Sequence, residues 1–128
     1  MRGLLDTSVF VALEHDRTID FDLLPDESAI SVITLAELEI GVLMAPSDEA
    51  RARRLATLSA AQRRHQPLPI DTAVASEFSR ITAELAAAGK RLQPHDRWIA
   101  ATALAHGVGL WTQDRGFEKV SGLRLQLV

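Results

Sequence analysis

Five short apolar runs punctuate this chain, and helix-patterned segments separate them, an alternation that few folds satisfy. The runs are GLLD (3–6), AISVI (29–33), PLPI (67–70), GLWT (109–112) and LRLQLV (123–128). Strands joined by helical crossovers pair in parallel, and a parallel sheet needs helices on both faces. The expected architecture is therefore a mostly parallel sheet in an α/β domain, with the alternating last run as an edge strand. A length of 128 residues suits one domain spanning 1–128, and no repeat, low-complexity tract or linker divides it.

Local signals set the helix boundaries. Thr7 or Ser8 can cap SVFVALEHD, and Thr34 opens TLAELEIGVLMA, which Pro46 stops. Ser47 caps a charged helix over 47–64, whose RARR run (51–54) reads as a solvated face or a protein contact. Asp71 caps TAVASEFSRITAELAAA, ended by Gly89, and the helix that starts at Pro94 and Asp96 runs to His106, with Gly107 as its stop. Gly41, inside a helix, predicts a close approach by another backbone. Trp98 and Trp111 read as core.

Composition narrows the chemistry. The absence of cysteine rules out disulfides and thiolate metal sites and fits a cytoplasmic protein. No apolar run is long enough to span a membrane, and the N-terminus lacks the pattern of a secretory signal. A net charge of −3 gives no bulk attraction to nucleic acid, so such binding requires a local basic patch or a metal.

The stretch PHDRWIAATALAHGVGLWTQD (94–114) has an acid near each end and little charge between. Its helix from Asp96 to His106 spans roughly 16 Å, and the return through the strand covers about 18 to 20 Å. Out and back cancel, so Asp96 and Asp114 meet at the carboxyl edge of the sheet, where open α/β folds bind ligands. Asp6 follows the first strand to that edge, and Glu37 lies early in the helix after the second. Each acid has an ordinary use as a cap, a capping-box partner of Thr34, or a turn former, but four independent caps would not need to meet. Like charges at a few ångströms call for a cation between them, and an oxygen-only ligand set suits Mg²⁺ or Mn²⁺.

The segments LLDTSVFVAL, ITLAELEIGV and HDRWIAATALAHGVGLWTQDRGF together resemble the PIN-domain ribonucleases, specifically the VapC-type toxins of bacterial toxin–antitoxin pairs. The likeness covers nearly the whole chain and is weakest over 47–70. It implies a PIN-like three-layer α/β/α fold with a five-stranded parallel sheet, homodimerisation, and inhibition by a cognate antitoxin. The family's acidic quartet carries over to Asp6, Glu37, Asp96 and Asp114, and its auxiliary hydroxyls to Thr7, Ser8 and Thr112. Helices apolar on several faces, such as 34–45 and 97–105, agree with partners on more than one side.

The activity implied is metal-assisted hydrolysis of RNA phosphodiester bonds, with Asp6 and Asp96 as principal ligands and Glu37 and Asp114 ligating directly or through water. Arg97, Arg115, Lys90 and Arg91 stand near the quartet in sequence and are the expected phosphate contacts. Two other chemistries compete. A receiver-like phosphoacceptor domain would use Asp71 but lacks a second acid beside Asp6 and a lysine after the last strand. Acid–base cleavage by histidines would need His15, His65, His95 and His106 to share an edge. A catalytically silent member that only binds metal or RNA is a third reading.

Overall fold

The computed structural model describes residues 2–128. Its elements are β1 (Arg2–Leu5), α1 (Thr7–Glu14), a 3-10 turn (Phe21–Leu23), β2 (Glu27–Ser31), α2 (Val32–Leu43), α3 (Asp48–Arg64), β3 (Pro67–Leu68), α4 (Thr72–Ala87), α5 (Pro94–Ala105), β4 (Gly109–Thr112), a second 3-10 turn (Arg115–Lys119) and β5 (Leu125–Leu127). The five strands form one sheet in the order β3-β2-β1-β4-β5, and every pairing is parallel. The expected α/β/α layering is present, with β5 on an edge.

Alternation along the strands divides the core into two layers. Leu4, Ala29 and Leu110 face α4 and α5, meeting Ile81, Leu85 and Ile99. Leu5, Ile30 and Trp111 face the other way, against Phe10 of α1, Leu38 of α2 and Leu58 of α3. Both faces being covered explains why the strands read as continuous apolar runs. In α5, Ile99, Ala100, Ala101 and Ala103 are fully buried, so small side chains let this helix pack closely on the sheet and α4.

The sheet order changes direction at β1. From β1 the chain crosses through α1 to β2 on one side, whereas β4 lies on the other. The carboxyl end of the β1–β4 pair is thus the topological switch point, the usual ligand crevice of such sheets.

Several local expectations need correction. Asp6, not Thr7 or Ser8, caps α1. Ser31 caps α2 by accepting from the amide of Ile33 at 3.0 Å, so the helix begins at Val32 and Thr34 lies buried within it rather than forming a capping box with Glu37. Pro67 and Pro69 lack the N–H a ladder needs, which shortens β3 to two residues. The RARR run is not wholly solvated: Arg54 Nη1 donates to the carbonyl of Gly41 at 2.7 Å. No backbone crowds Gly41, because an added Cβ would meet only Arg54 Cδ at 3.8 Å.

The glycines that packing does require are Gly3 and Gly109, paired across β1 and β4 beneath the indole of Trp111. A Cβ on Gly3 would stand 2.1 Å from Trp111 Cζ3, and one on Gly109 would stand 2.9 Å from it. The ring cannot swing away freely, because its Nε1 donates to the carbonyl of Leu23 at 2.6 Å. Gly3→Ala is expected to cost roughly 1–3 kcal/mol as overpacking. Gly41→Ala, in contrast, is expected to be neutral or stabilising by about 0.5–1 kcal/mol. Urea unfolding of the two variants beside the parent measures both effects, and equal destabilisation would contradict this account of the packing.

Candidate active site

Asp6 occupies the switch point because the β1–β4 ladder runs one residue past β1, with the Asp6 amide donating to the carbonyl of Trp111 at 2.9 Å. The residue is 4% exposed. Oδ2 accepts from Ser8 Oγ at 2.7 Å, from Thr112 Oγ1 at 2.8 Å and from the Ser8 amide at 3.4 Å. Both hydroxyls are oriented from behind: Ser8 Oγ accepts from the Gln113 amide at 3.0 Å and Thr112 Oγ1 from the Asp114 amide at 2.9 Å. Among the described residues no donor reaches Oδ1, and no buried side-chain oxygen lacks a partner. Oδ2 is thus anchored, while Oδ1 carries no hydrogen bond among the described residues. One anchored and one open oxygen is a suitable arrangement for a metal ligand supported by an outer shell.

Glu37 projects from α2 toward α1. Its Oε1 accepts from Thr7 Oγ1 at 2.8 Å, and Thr7 Oγ1 also lies 3.0 Å from the buried hydroxyl of Thr34. Burial pushes the Glu37 carboxyl above its ordinary pKa, the Thr7 hydrogen bond opposes this, and the charge of Asp6 adds to the rise. His95 Nδ1 stands 3.8 Å from Glu37 Oε2.

Asp96 lies in the first turn of α5, where the helix dipole favours its ionised form. Burial nevertheless raises its pKa to about 6, and the charges of Asp6, Asp114 and Glu37 add to the effect. The dipole is outweighed by burial first, and three acids from three other segments add to it. Asp114 meanwhile serves as a cap, its Oδ1 accepting from the Gly116 amide at 2.7 Å to start the second 3-10 turn. Local capping and membership of the acidic group coincide in Asp6 and Asp114.

The four expected acids thus share one electrostatic neighbourhood, and the three expected hydroxyls hold two of them, Thr7 on Glu37 and Ser8 and Thr112 on Asp6. Among the described residues no three His, Cys, Asp or Glu side chains are close enough in this arrangement to ligate one ion. The all-oxygen donor set, the mutual repulsion and the open Oδ1 of Asp6 fit a hard divalent cation.

The basic residues divide. Lys90, Arg91 and Arg97 line a cleft of about 830 Å³ that also contains Asp96 and Asp114. Arg97 is committed, donating from Nε to the Leu92 carbonyl at 3.1 Å and from Nη1 to Thr82 Oγ1 at 2.9 Å. Arg115 pairs with Glu118 at 3.2 Å. Lys119, which carried no sequence signal, lines the same cleft. The histidines do not gather: His15 ends α1, His65 sits edge-on to Phe10 and hydrogen-bonds Ser28, His106 ends α5, and among the described residues only His95 reaches the acids. Asp71 is used as the cap of α4, accepting from the Val74 amide at 3.0 Å.

A parallel α/β sheet with an acidic group held by hydroxyls at its switch point defines the class, and residues 3–123 match the PIN domain. The chain belongs to the PIN-domain family, among its VapC ribonucleases. It is 47% identical over 121 residues to Ribonuclease VapC4 of Mycobacterium tuberculosis, covering 91% of this chain and 88% of the relative. To Ribonuclease VapC5 of the same organism it is 43% identical over 120 residues, covering 94% and 88%. Its fold is similar to the crystal structure of VapBC-5, a member of the VapBC family of toxin–antitoxin systems from Mycobacterium tuberculosis, with TM-score 0.88, 39% identity and coverage of 99% and 97%.

A raised carboxyl pKa has a defined effect on stability. The folded state holds the Asp96 proton more tightly than the unfolded chain does, so metal-free stability falls as pH rises from about 4 through about 6. Asp96→Asn should therefore melt a few degrees higher than the parent at pH 7.5 in chelator, a shift of the size roughly 1 kcal/mol produces in a domain of this length. The difference should vanish near pH 4. Thermal unfolding across pH checks this, and a pH-independent difference would contradict the electrostatic origin.

Proposed function

We propose that this chain is a Mg²⁺- or Mn²⁺-dependent endoribonuclease and the toxin of a toxin–antitoxin pair, with Asp6, Glu37, Asp96 and Asp114 as its catalytic acids. The observation that carries the reading is the locked Asp6 carboxylate with one open oxygen, beside an Asp96 that three other acids burden with negative charge. Asp6 and Asp96 would hold the ion, with Glu37 and Asp114 ligating directly or through water. When bound, the ion acidifies water and stabilises charge on phosphate oxygens. Ser8 and Thr112 keep Asp6 in one orientation, and Thr7 does the same for Glu37. A carboxylate of the group orients the attacking water, so the 2′-hydroxyl is not used and the products carry 5′-phosphate and 3′-hydroxyl ends. Lys90, Arg91, Arg97 and Arg115 supply the positive surface that offsets repulsion between the acids and RNA, by contact or by shaping the cleft.

The partners follow the same reading. A cognate antitoxin and a second copy of the chain would cover apolar surface: Ile40 and Leu43 of α2, Met44 at its C-cap and Leu55 of α3 are exposed. No helix among the described residues is long and apolar enough to cross a membrane, and action on cellular RNA would place the protein in the cytoplasm.

Purified protein freed of antitoxin should cleave RNA with Mg²⁺ or Mn²⁺ and not in EDTA. Asp6→Asn and Asp96→Asn should each lower the rate by more than about 100-fold while circular dichroism stays native. Ser8→Ala should lose roughly 10-fold, within the range for outer-shell partners of metal ligands. Sequencing of product ends tests the role of water as nucleophile. Undiminished cleavage by both aspartate variants in EDTA would overturn the metal-dependent mechanism.

A further inference from the structure

The cleft beside Asp96 and Asp114 does not end there. A second cavity of about 280 Å³ shares Leu85, Lys90 and Lys119 as walls with the first, so the two hollows lie side by side as a basic channel along α4 and the second 3-10 turn. Its charge runs against the composition of the chain, whose net charge is −3. The acids among the lining residues are Asp96 and Asp114 in the larger cavity and Glu84 in the smaller. Glu84 shares Arg80 with Glu77, each at 2.9 Å, so part of its charge remains, whereas Lys90, Arg91 and Lys119 line the cavities without a carboxylate partner among the described residues.

Both lysines are placed by rigid local structure. After α4, Gly89 takes a left-handed conformation at φ +66°, with the Gly89 amide bonding Ala86 O at 3.2 Å and the Lys90 amide bonding Leu85 O at 2.9 Å. This glycine turn sets where Lys90 leaves the helix. Lys119 ends the 3-10 turn that Asp114 caps, and its Nζ donates to the Arg91 carbonyl at 2.9 Å, leaving donors over. Arg97 grips the same loop at the Leu92 carbonyl, and so acts as a positioning residue for it.

From this we propose that the channel binds one unpaired RNA strand on one side of the scissile phosphate, with Lys90 and Lys119 as its phosphate contacts. The inference rests on the nuclease reading above. A cleft of about 830 Å³ is within the size range of pockets that hold small ligands, which suits a few nucleotides of one strand. Among the described residues none lining either cavity is aromatic, so bases are not stacked there and the grip is on the backbone. The channel is therefore tolerant of sequence, and selection of a target RNA lies elsewhere.

The test is fluorescence anisotropy of a labelled unpaired RNA with the full chain in chelator, between about 50 and 200 mM salt. Lys90→Ala with Lys119→Ala should weaken binding and reduce the slope of log K against log salt by about 1.4, two single-strand phosphate contacts at about 0.7 each. Lys90→Ala alone, which breaks no bond in the fold, should remove half of that, and Lys119→Arg should keep the parental slope. Arg63→Ala with Arg64→Ala, a charge-matched change at the exposed end of α3, should behave as the parent. In Mg²⁺ the double lysine variant should show a raised KM with kcat retained. A parental slope and KM in the double variant, an equal loss in the α3 control, or tighter binding of a duplex than of the unpaired strand would overturn the proposal. So would parental RNA affinity that does not depend on salt, and a channel serving a protein ligand instead would leave RNA binding by the lysine variants unchanged. Failure of the parent to cleave any RNA with Mg²⁺ would overturn the nuclease reading, while binding in chelator would still decide the channel.

Discussion

The parallel pairing of β1 with β4 is the constraint on which the rest of this molecule depends. Gly3 and Gly109 allow the two strands to lie under the Trp111 indole, and the ladder continues to the hydrogen bond between the Asp6 amide and Trp111 carbonyl. That bond fixes the origin of α1 relative to the end of β4, and with it the relation of Asp6 and Ser8 to Thr112. Hydrogen bonds to a charged group contribute roughly 1.5–3 kcal/mol each, which offsets the cost of withdrawing a carboxylate from water. The switch point is thus held by backbone pairing first and by side-chain hydroxyls second.

The acids were legible in the sequence because topology does most of their placement. Asp6 directly follows a strand, and Asp96 and Asp114 are separated by a helix and strand whose lengths cancel. Parallel pairing then sends all of them to one edge. Capping and a place in the acidic group coincide in Asp6 and Asp114, so the two readings of these residues do not exclude one another. The boundary of α2 was not legible, because Ser31 and Thr34 are both able caps three residues apart. The choice is made by a contact 27 positions away, since Thr34 faces the hydroxyl of Thr7. Lys119 was invisible for a related reason: its reach depends on a 3-10 turn that only the folded position of Asp114 explains. Gly41 misled because a sequence shows that a side chain is absent and not what stands beside it.

Asp114 joins two devices that look separate in the chain. One of its oxygens starts the turn that delivers Lys119, and its charge helps to raise the pKa of Asp96. Acidic centre and basic channel are therefore built from one loop, and a change in that loop moves both. The arrangement also keeps opposite charges from cancelling. Lys119 Nζ donates to the carbonyl of Arg91, and among the described residues it pairs with neither Asp96 nor Asp114.

Folding alone would not favour this edge. Asp96 is held where burial and three neighbouring charges disfavour its ionised form, although the first turn of a helix is otherwise a good place for an acid. A neutral residue at that position would relieve the strain, and a natural chain that keeps the acid keeps a local instability at neutral pH. The rest of the fold supplies what this requires: both faces of the sheet are covered, α5 is packed with alanines that are fully buried, and no buried polar side chain is left without a partner among the described residues. Frustration is thereby confined to the end of β1 and β4, where a divalent cation would turn mutual repulsion among the acids into shared attraction for one ion.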